Sequence, residues 1–238
     1  MKISTISKFI FVAVYVLQSF GLHAQNVTSD TLKVKAGKLS ELLGSNIDLI
    51  KDLTLRGEIN GTDITTIRSM KKLSVLNLAD VKIVKGGIFI SSIYDDKIDF
   101  SNNEIPEEMF YSKDNLTSII LPEDVNAIGL KSFSDCSKLT SIIIPDGVTS
   151  VGTNAFIGCT ALTSVTISSS MAVIEYAAFQ DCTGLTKVHC RAIIPPKITP
   201  YTFFGVGKTT CKVYVPKGTA EAYKSATGWN EFKNIIEE

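Results

Sequence analysis

Histidine is almost missing from this chain: of two, His23 falls in the first 24 residues and only His189 lies beyond them. A Ser–His or Cys–His catalytic pair would have to use His189, and no G-x-S-x-G elbow is present. Cys190 is adjacent in sequence but would face the opposite side of a strand, away from that imidazole. Zinc-type sites need several His or Cys at ligand spacing, and no Walker or Rossmann glycine loop offers a cradle for phosphate. An excess of charge of one sign is lacking too. The chain holds 24 Lys+Arg and 24 Asp+Glu, or 22 against 24 once Lys2 and Lys8 are set aside with the first 24 residues. That balance gives no electrostatic ground for a nucleic-acid partner or an anionic membrane. The acidic stretch from Tyr94-Asp95-Asp96 to Asp99 does not follow the spacing of an EF-hand loop. Asp135 and Asp181 share a turn position but lie two units apart with Gly158 between them. The expectation is a protein that is not an enzyme and carries no cofactor or metal; a carboxylate-based hydrolase is the catalytic rival, since two carboxylates can meet in any fold.

Long apolar runs are equally scarce. The run from Phe9 to Phe20 follows Lys2 and Lys8 and precedes Leu22-His23-Ala24, the pattern of a secretory signal peptide over 1–24. It is short for a membrane span, which needs roughly 20 apolar residues. No cysteine follows it to make a lipoprotein anchor, and no second run of that kind occurs. The reading is an exported protein, periplasmic, cell-surface or secreted, with no integral membrane segment after cleavage.

What the chain has in abundance is repetition. LTSIILPEDVNAIGLKSFSDCSK, LTSIIIPDGVTSVGTNAFIGCTA and LTSVTISSSMAVIEYAAFQDCTG follow one another, so that Leu116, Leu139, Leu162 and Leu185 stand 23 apart. Ile128, Val151 and Ile174 keep the same step, as do Phe133, Phe156 and Phe179, and Cys136, Cys159 and Cys182. A fixed period of roughly 20–50 residues signals a solenoid, whose units bury their apolar faces only against neighbours. L-x-x-I-x-I-P reads as a short strand closed by Pro122 or Pro145. Copies stacked about 4.8 Å apart would form one parallel sheet wall, and their phenylalanines a spine. The three periodic cysteines would point inward side by side, which suits a small buried hydrophobe better than the specific disulfide dihedral. Five free thiols are expected.

The repeat resembles the BspA-type leucine-rich repeat family. The residues that carry the likeness are Leu139-Thr140-Ser141-Ile142-Ile143-Ile144-Pro145, Val148 to Val151, and Ala155-Phe156-Ile157-Gly158-Cys159. The resemblance implies a right-handed, β-rich leucine-rich-repeat solenoid on a bacterial surface or secreted protein, often linked to adhesion.

Residues 25–49 read as an N-terminal cap, with a strand at Thr31–Lys35 and a short helix carrying Leu39, Leu42 and Leu43 that stops at Gly44. Repeats occupy 50–209, the first with a turn signal at Asn60-Gly61. Leu73 and Leu116 are 43 apart, so 20 extra residues enter within 79–109; a structural hairpin is the leading expectation and a binding loop its rival. Residues 210–238 give a last strand, Lys212–Pro216, and a helical cap in which Trp229, Phe232 and Ile235 fold over the open end of the core.

Function is sought on the outside. In L-x-x-I-x-I the residue between the two inward positions faces out, which gives Thr54, Asn77, Ile120, Ile143, Thr166, His189 and Tyr214 from unit to unit. The candidate binding face is Asn77, Ile120, Ile143, Thr166, His189 and Tyr214. Such a strip can serve a partner, or its isoleucines can simply favour the strand. The partner expected is a protein or a glycan, bound by a monomer. The rival is a scaffold or accessory subunit of a glycan-handling system in the cell envelope.

Overall fold

Apolar side chains two apart, bounded by turn residues, do make short strands here, stacked unit on unit. The computed structural model describes residues 31–238, so the signal-peptide segment 1–24 lies outside the described residues. In chain order the elements are β1 (Thr31–Val34), α1 (Leu39–Leu43), β2 (Asp52–Ile59), α2 (Gly61–Ser69), β3 (Val75–Ile83), β4 (Glu104–Ile105), β5 (Ser118–Ile120), β6 (Ala127–Ile128), β7 (Ser141–Ile143), β8 (Ser150–Val151), β9 (Ser164–Ile167), β10 (Val173–Ile174), β11 (Lys187–Cys190), β12 (Lys212–Val215), α3 (Ala220–Ser225) and β13 (Asn234–Glu237).

The wall of parallel strands runs β1-β2-β3-β5 and then β7-β9-β11-β12-β13. Its hydrogen-bonded ladder lapses between β5 and β7, so the wall is two sheets end to end. A third parallel sheet, β4-β6-β8-β10, lines the return side of the solenoid. Its strands are two residues long, too short for an alternating pattern to betray them, and they pair Ile105 with Ile128, Val151 and Ile174 in turn. Between the sheets the backbone still bonds from unit to unit, as in Phe133 N to the Ala155 carbonyl at 2.7 Å and Phe156 N to the Ala178 carbonyl at 2.7 Å. Buried peptide groups thus find partners even where the chain is irregular. Two positions per unit are left-handed: Glu108, Lys131, Asn154 and Ala177 form one set, and Ser112, Asp135, Gly158, Asp181 and Gly205 the other. At Gly158 a Cβ would come within 2.4 Å of Asp135 Oδ1, so a larger residue there would require the Asp135 side chain to move.

The core is a stack of identical side chains. Rings of Phe110, Phe133, Phe156, Phe179 and Phe203 lie 4.8–5.2 Å apart between neighbours. Trp229 and Phe232 close the C-terminal end against Phe203, at 5.6 and 5.4 Å. The Trp229 indole N–H donates to the Pro196 carbonyl at 2.9 Å, which satisfies its one polar atom. Ile235 takes a different place from the one expected: after the turn Trp229–Glu231 the chain extends, and β13 adds a parallel strand beside β12.

All five cysteines are buried free thiols. Cys136, Cys159 and Cys182 each donate to the carbonyl of the preceding unit's phenylalanine, Phe110, Phe133 and Phe156, at 3.1–3.2 Å. One step before Cys136 the same slot holds Lys113, whose Nζ donates to the carbonyls of Ile67, Arg68 and Met70 at 2.8, 3.0 and 2.6 Å. The preceding unit there ends in helix α2, whose last carbonyls have no i+4 N–H of the helix to accept from. An ammonium with three donors therefore stands where a thiol with one suffices elsewhere.

Helix α2 was not legible as a helix: Asn60-Gly61 reads as a turn but is an N-cap. Asn60 Oδ1 accepts from Thr62 N at 3.0 Å, and Asp63 Oδ2 accepts from Asn60 N at 3.0 Å. Asp63 is fully buried and also takes Gly37 N at 2.5 Å and Leu39 N at 2.8 Å, tying the N-terminal segment to the first repeat. Truncating it orphans three backbone donors. Asp63→Ala should cost about 2–4 kcal/mol in urea unfolding; a loss under about 0.5 kcal/mol would refute that role.

The extra 20 residues fold as a hairpin, with an antiparallel bridge between Ile90 and Lys97 and a bond from Ile98 N to the Phe89 carbonyl at 2.8 Å. Phe89 is buried beneath the Arg68 guanidinium, 4.7 Å from its ring. Buried Glu108 accepts from Ser91 Oγ, Ser92 N and Ser92 Oγ at 2.8–2.9 Å, with Arg68 4.0 Å away. The hairpin is sealed to the solenoid by these contacts.

Candidate binding face

Parallel pairing with a whole-unit shift lines up equivalent residues. Thr54 stands beside Asn77 and Asn77 beside Ile120; Ile143 stands beside Thr166, then His189, then Tyr214. The strip is continuous except at the lapse between β5 and β7. Its apolar centre is open: Ile120 is 52% exposed and Ile143 61%. Asn77, Thr166, His189 and Tyr214 are half-buried. His189 and Tyr214 stack face to face with centroids 4.5 Å apart, and His189 Nδ1 lies 3.0 Å from Glu238 Oε1. A planar, half-exposed pair next to two exposed isoleucines is a contact surface with shape. Nothing in it forms a nucleophile–base pair.

The lapse in the ladder opens a groove of about 580 Å³. Ile120 and Ile143 stand on its banks, Ile119 and Leu121 line it, and Glu123, Asp146 and Arg191 charge its rim. Arg191 Nη1 sits 3.5 Å from Asp146 Oδ2, with both side chains at least half exposed. Sequence reasoning missed this groove because strand registry is a property of two units together. The exposed aromatics were missed too. Tyr176, Tyr201 and Phe204 gather on the surface with neighbouring centroids 5.2 and 6.4 Å apart, each about half exposed. The signal for them was the failure of Tyr176 to recur at its repeat position, where Thr153 precedes it. Among the described residues no group of three His, Cys, Asp or Glu is placed to hold a metal ion. No helix among them is long and apolar enough to cross a membrane.

The family model for the BspA type leucine rich repeat region matches residues 103–226 in six copies. The chain belongs to the BspA-type leucine-rich repeat family. Its members are repeat scaffolds of the kind that bind proteins. Among solved structures, the chain is similar to a leucine-rich repeat protein from Bacteroides ovatus, at 23% identity and a TM-score of 0.46 over 70% of this chain and 44% of that one. A leucine-rich repeat protein of T. pallidum matches at 21% identity and a TM-score of 0.36, over 56% of this chain and 62% of that one. The pneumococcal vaccine antigen PcpA matches at 17% identity and a TM-score of 0.38, over 79% of this chain and 62% of that one. The chain thus spans 44–62% of the length of these proteins. Comparison with curated proteins found no match.

Proposed function

We propose that this protein is an exported, non-enzymatic repeat scaffold that binds a protein partner through its sheet face, in the manner of a cell-surface or adhesion-type receptor. The observation that carries this reading is the exposed pair Ile120 and Ile143 at the centre of a registered strip, above a groove the core does not fill. Apolar side chains held in the open on a rigid wall cost solubility and add nothing to the core, which suits a contact surface. Asn77, Thr166, His189 and Tyr214 supply a polar margin around them. Export rests on the lysine-flanked apolar run before Ala24.

The second reading is an accessory scaffold of a glycan-handling system, and the exposed trio Tyr176, Tyr201 and Phe204 favours it, since sugar rings stack on aromatic faces. One screen decides between the two. The mature chain is tested against surface and matrix proteins and against soluble glycans, together with Ile143→Asp, Thr166→Arg, Tyr214→Ala and Tyr201→Ala. Loss of a protein ligand by tenfold or more in the three sheet-face variants, with unchanged melting, is the expected result. Binding of a glycan lost only in Tyr201→Ala would replace the first reading by the second. Protein binding untouched by all three sheet-face variants would move the site elsewhere.

A further inference from the structure

Lysines collect on the rim where the chain enters the strands of the wall. Lys51 stands just before β2, Ser74 just before β3 and Thr117 just before β5. They are stacked one unit apart: Ser74 N donates to the Lys51 carbonyl at 2.7 Å and Thr117 N to the Ser74 carbonyl at 2.8 Å. A second row lies two residues earlier in the chain, with Lys72, Asn115 and Lys138 in successive units. Asn115 Nδ2 donates to the Lys71 carbonyl at 2.8 Å and Lys138 Nζ donates to Asn115 Oδ1 at 3.1 Å, so the amide ties this row together. The two rows line a groove of about 350 Å³, whose walls are Lys51, Lys72, Ser74, Asn115, Thr117 and Lys138.

Three ammonium groups line this groove and no carboxylate does. All three lysines are exposed, and none forms an ion pair among the described residues. Asp52 touches the margin, with Oδ1 3.4 Å from Ser74 Oγ, and Asp114 adjoins Asn115 in the chain. With Lys71 beside Lys72, the lysines outnumber these two acids by two.

The hydroxyls impose a second requirement. Thr117 Oγ1 donates to the Ser74 carbonyl at 3.0 Å, and Ser74 Oγ donates to the Lys51 carbonyl at 3.2 Å. Each hydroxyl has placed its proton within the protein, and its lone pairs are left to accept from a ligand. The occupant must then carry anions for the lysines and hydroxyl donors for Ser74 and Thr117. No aromatic ring lines the groove, so a DNA strand would find no platform for its bases. Its phosphates and deoxyriboses would also offer the two hydroxyls no donor.

We propose that this groove holds a stretch of an acidic glycan, a polymer with carboxylate or sulfate groups on its sugars. Its anions meet Lys51, Lys72 and Lys138, and its hydroxyls donate to Ser74 and Thr117. Lys72 and Lys138 rise from positions two unit spacings apart, about 10 Å, with Lys51 one unit further toward the N-terminus. A chain of sugars lying across the units passes all three. The proposal rests on the export reading above, which exposes the protein to glycans outside the cell membrane, and not on the sheet-face reading.

The test uses fluorescein-labelled octasaccharides of galacturonic acid, of sulfated glucose and of plain glucose, beside a deoxythymidine octanucleotide. Each is titrated with the mature chain by anisotropy at low and at physiological salt. Both acidic glycans should bind at least tenfold more tightly than plain glucose, and more weakly as salt rises. The double variant Lys72→Glu/Lys138→Glu should lower that binding at least tenfold with unchanged melting, since both side chains are exposed. Lys217→Glu/Lys233→Glu makes the same change of charge on exposed lysines of the C-terminal segment, and should leave binding within about twofold. Equal losses in the two double variants, or no loss in the first, overturn the proposal. An octanucleotide bound as tightly as the galacturonic acid chain also overturns it, because the groove would then take any polyanion. Tyr214→Ala on the strand face should leave glycan binding intact, so the sheet-face reading and this one fail separately.

Discussion

Raising the pH from about 8 to about 10 is expected to lower folding stability. The cause is the set of buried thiols. Burial pushes the Cys136 and Cys190 thiols up, the hydrogen-bonded Cys182 thiol and burial together raise Cys159 well above its ordinary value, and burial lifts Cys211 to about 11. In the unfolded chain each ionises near pH 8.5. Between that pH and the folded value the native state holds protons that the unfolded state has released, so stability falls as pH rises. Cys211, lifted to about 11, loses about 2 kcal/mol by pH 10, and the other three thiols act in the same direction. Lys113 opposes them. Burial lowers its ammonium to about 8, so over the same interval it is the unfolded state that binds more protons, and stability gains about 2 kcal/mol. Urea midpoints measured with reductant present at intervals of pH should slope downward above pH 8.5, and Cys211→Ala should remove about 2 kcal/mol of the loss between pH 8 and 10. A flat midpoint from pH 8 to 10 would sink the account.

Phe156→Ala should cost about 3–5 kcal/mol. Phe156 is fully buried between Phe133 and Phe179, at 4.8 and 5.0 Å and with rings inclined by only 6° and 1°. Truncation removes the transfer energy of the ring and leaves a cavity in the middle of the spine. It also removes two stacked pairs, each worth about 0.5–1.5 kcal/mol beyond area burial. The unit cannot collapse to fill the space, because Phe156 N is bonded to the Ala178 carbonyl and Gly158 N to the Gln180 carbonyl, which hold it to the next unit. Phe156→Leu keeps most of the volume and should cost about half as much. The measurement is the denaturation midpoint of each variant against the parent, and a change within a degree or so of the parent's melting temperature would remove Phe156 from the core.

Repetition made the core legible, and isolation kept the rest hidden. The phenylalanine spine and the strand registry follow from side chains that recur every 23 residues, so one unit read well was every unit read. The outward strip was legible for the same reason, down to the pairing of His189 with Tyr214. Helix α2 occurs once, and its N-cap uses Asn-Gly, a dipeptide that signals turns equally well. Strands of two residues carry no period at all. Lys113 in the cysteine slot looks like a surface lysine until the carbonyls of Ile67, Arg68 and Met70 are seen above it.

The sequence by itself determined that the chain is a repeat solenoid, which residues face inward, and which outward row the strands would display. A fixed period and a fixed alternation of side chains leave no other way to bury that many equivalent apolar residues. Only the tertiary structure decided where the sheet ladder lapses, that Arg191 lines two grooves, and that Ile193 and Ile194 stand in solvent. Those features arise between units, from register and turn length, and a surface made by neighbours cannot be read from either neighbour alone.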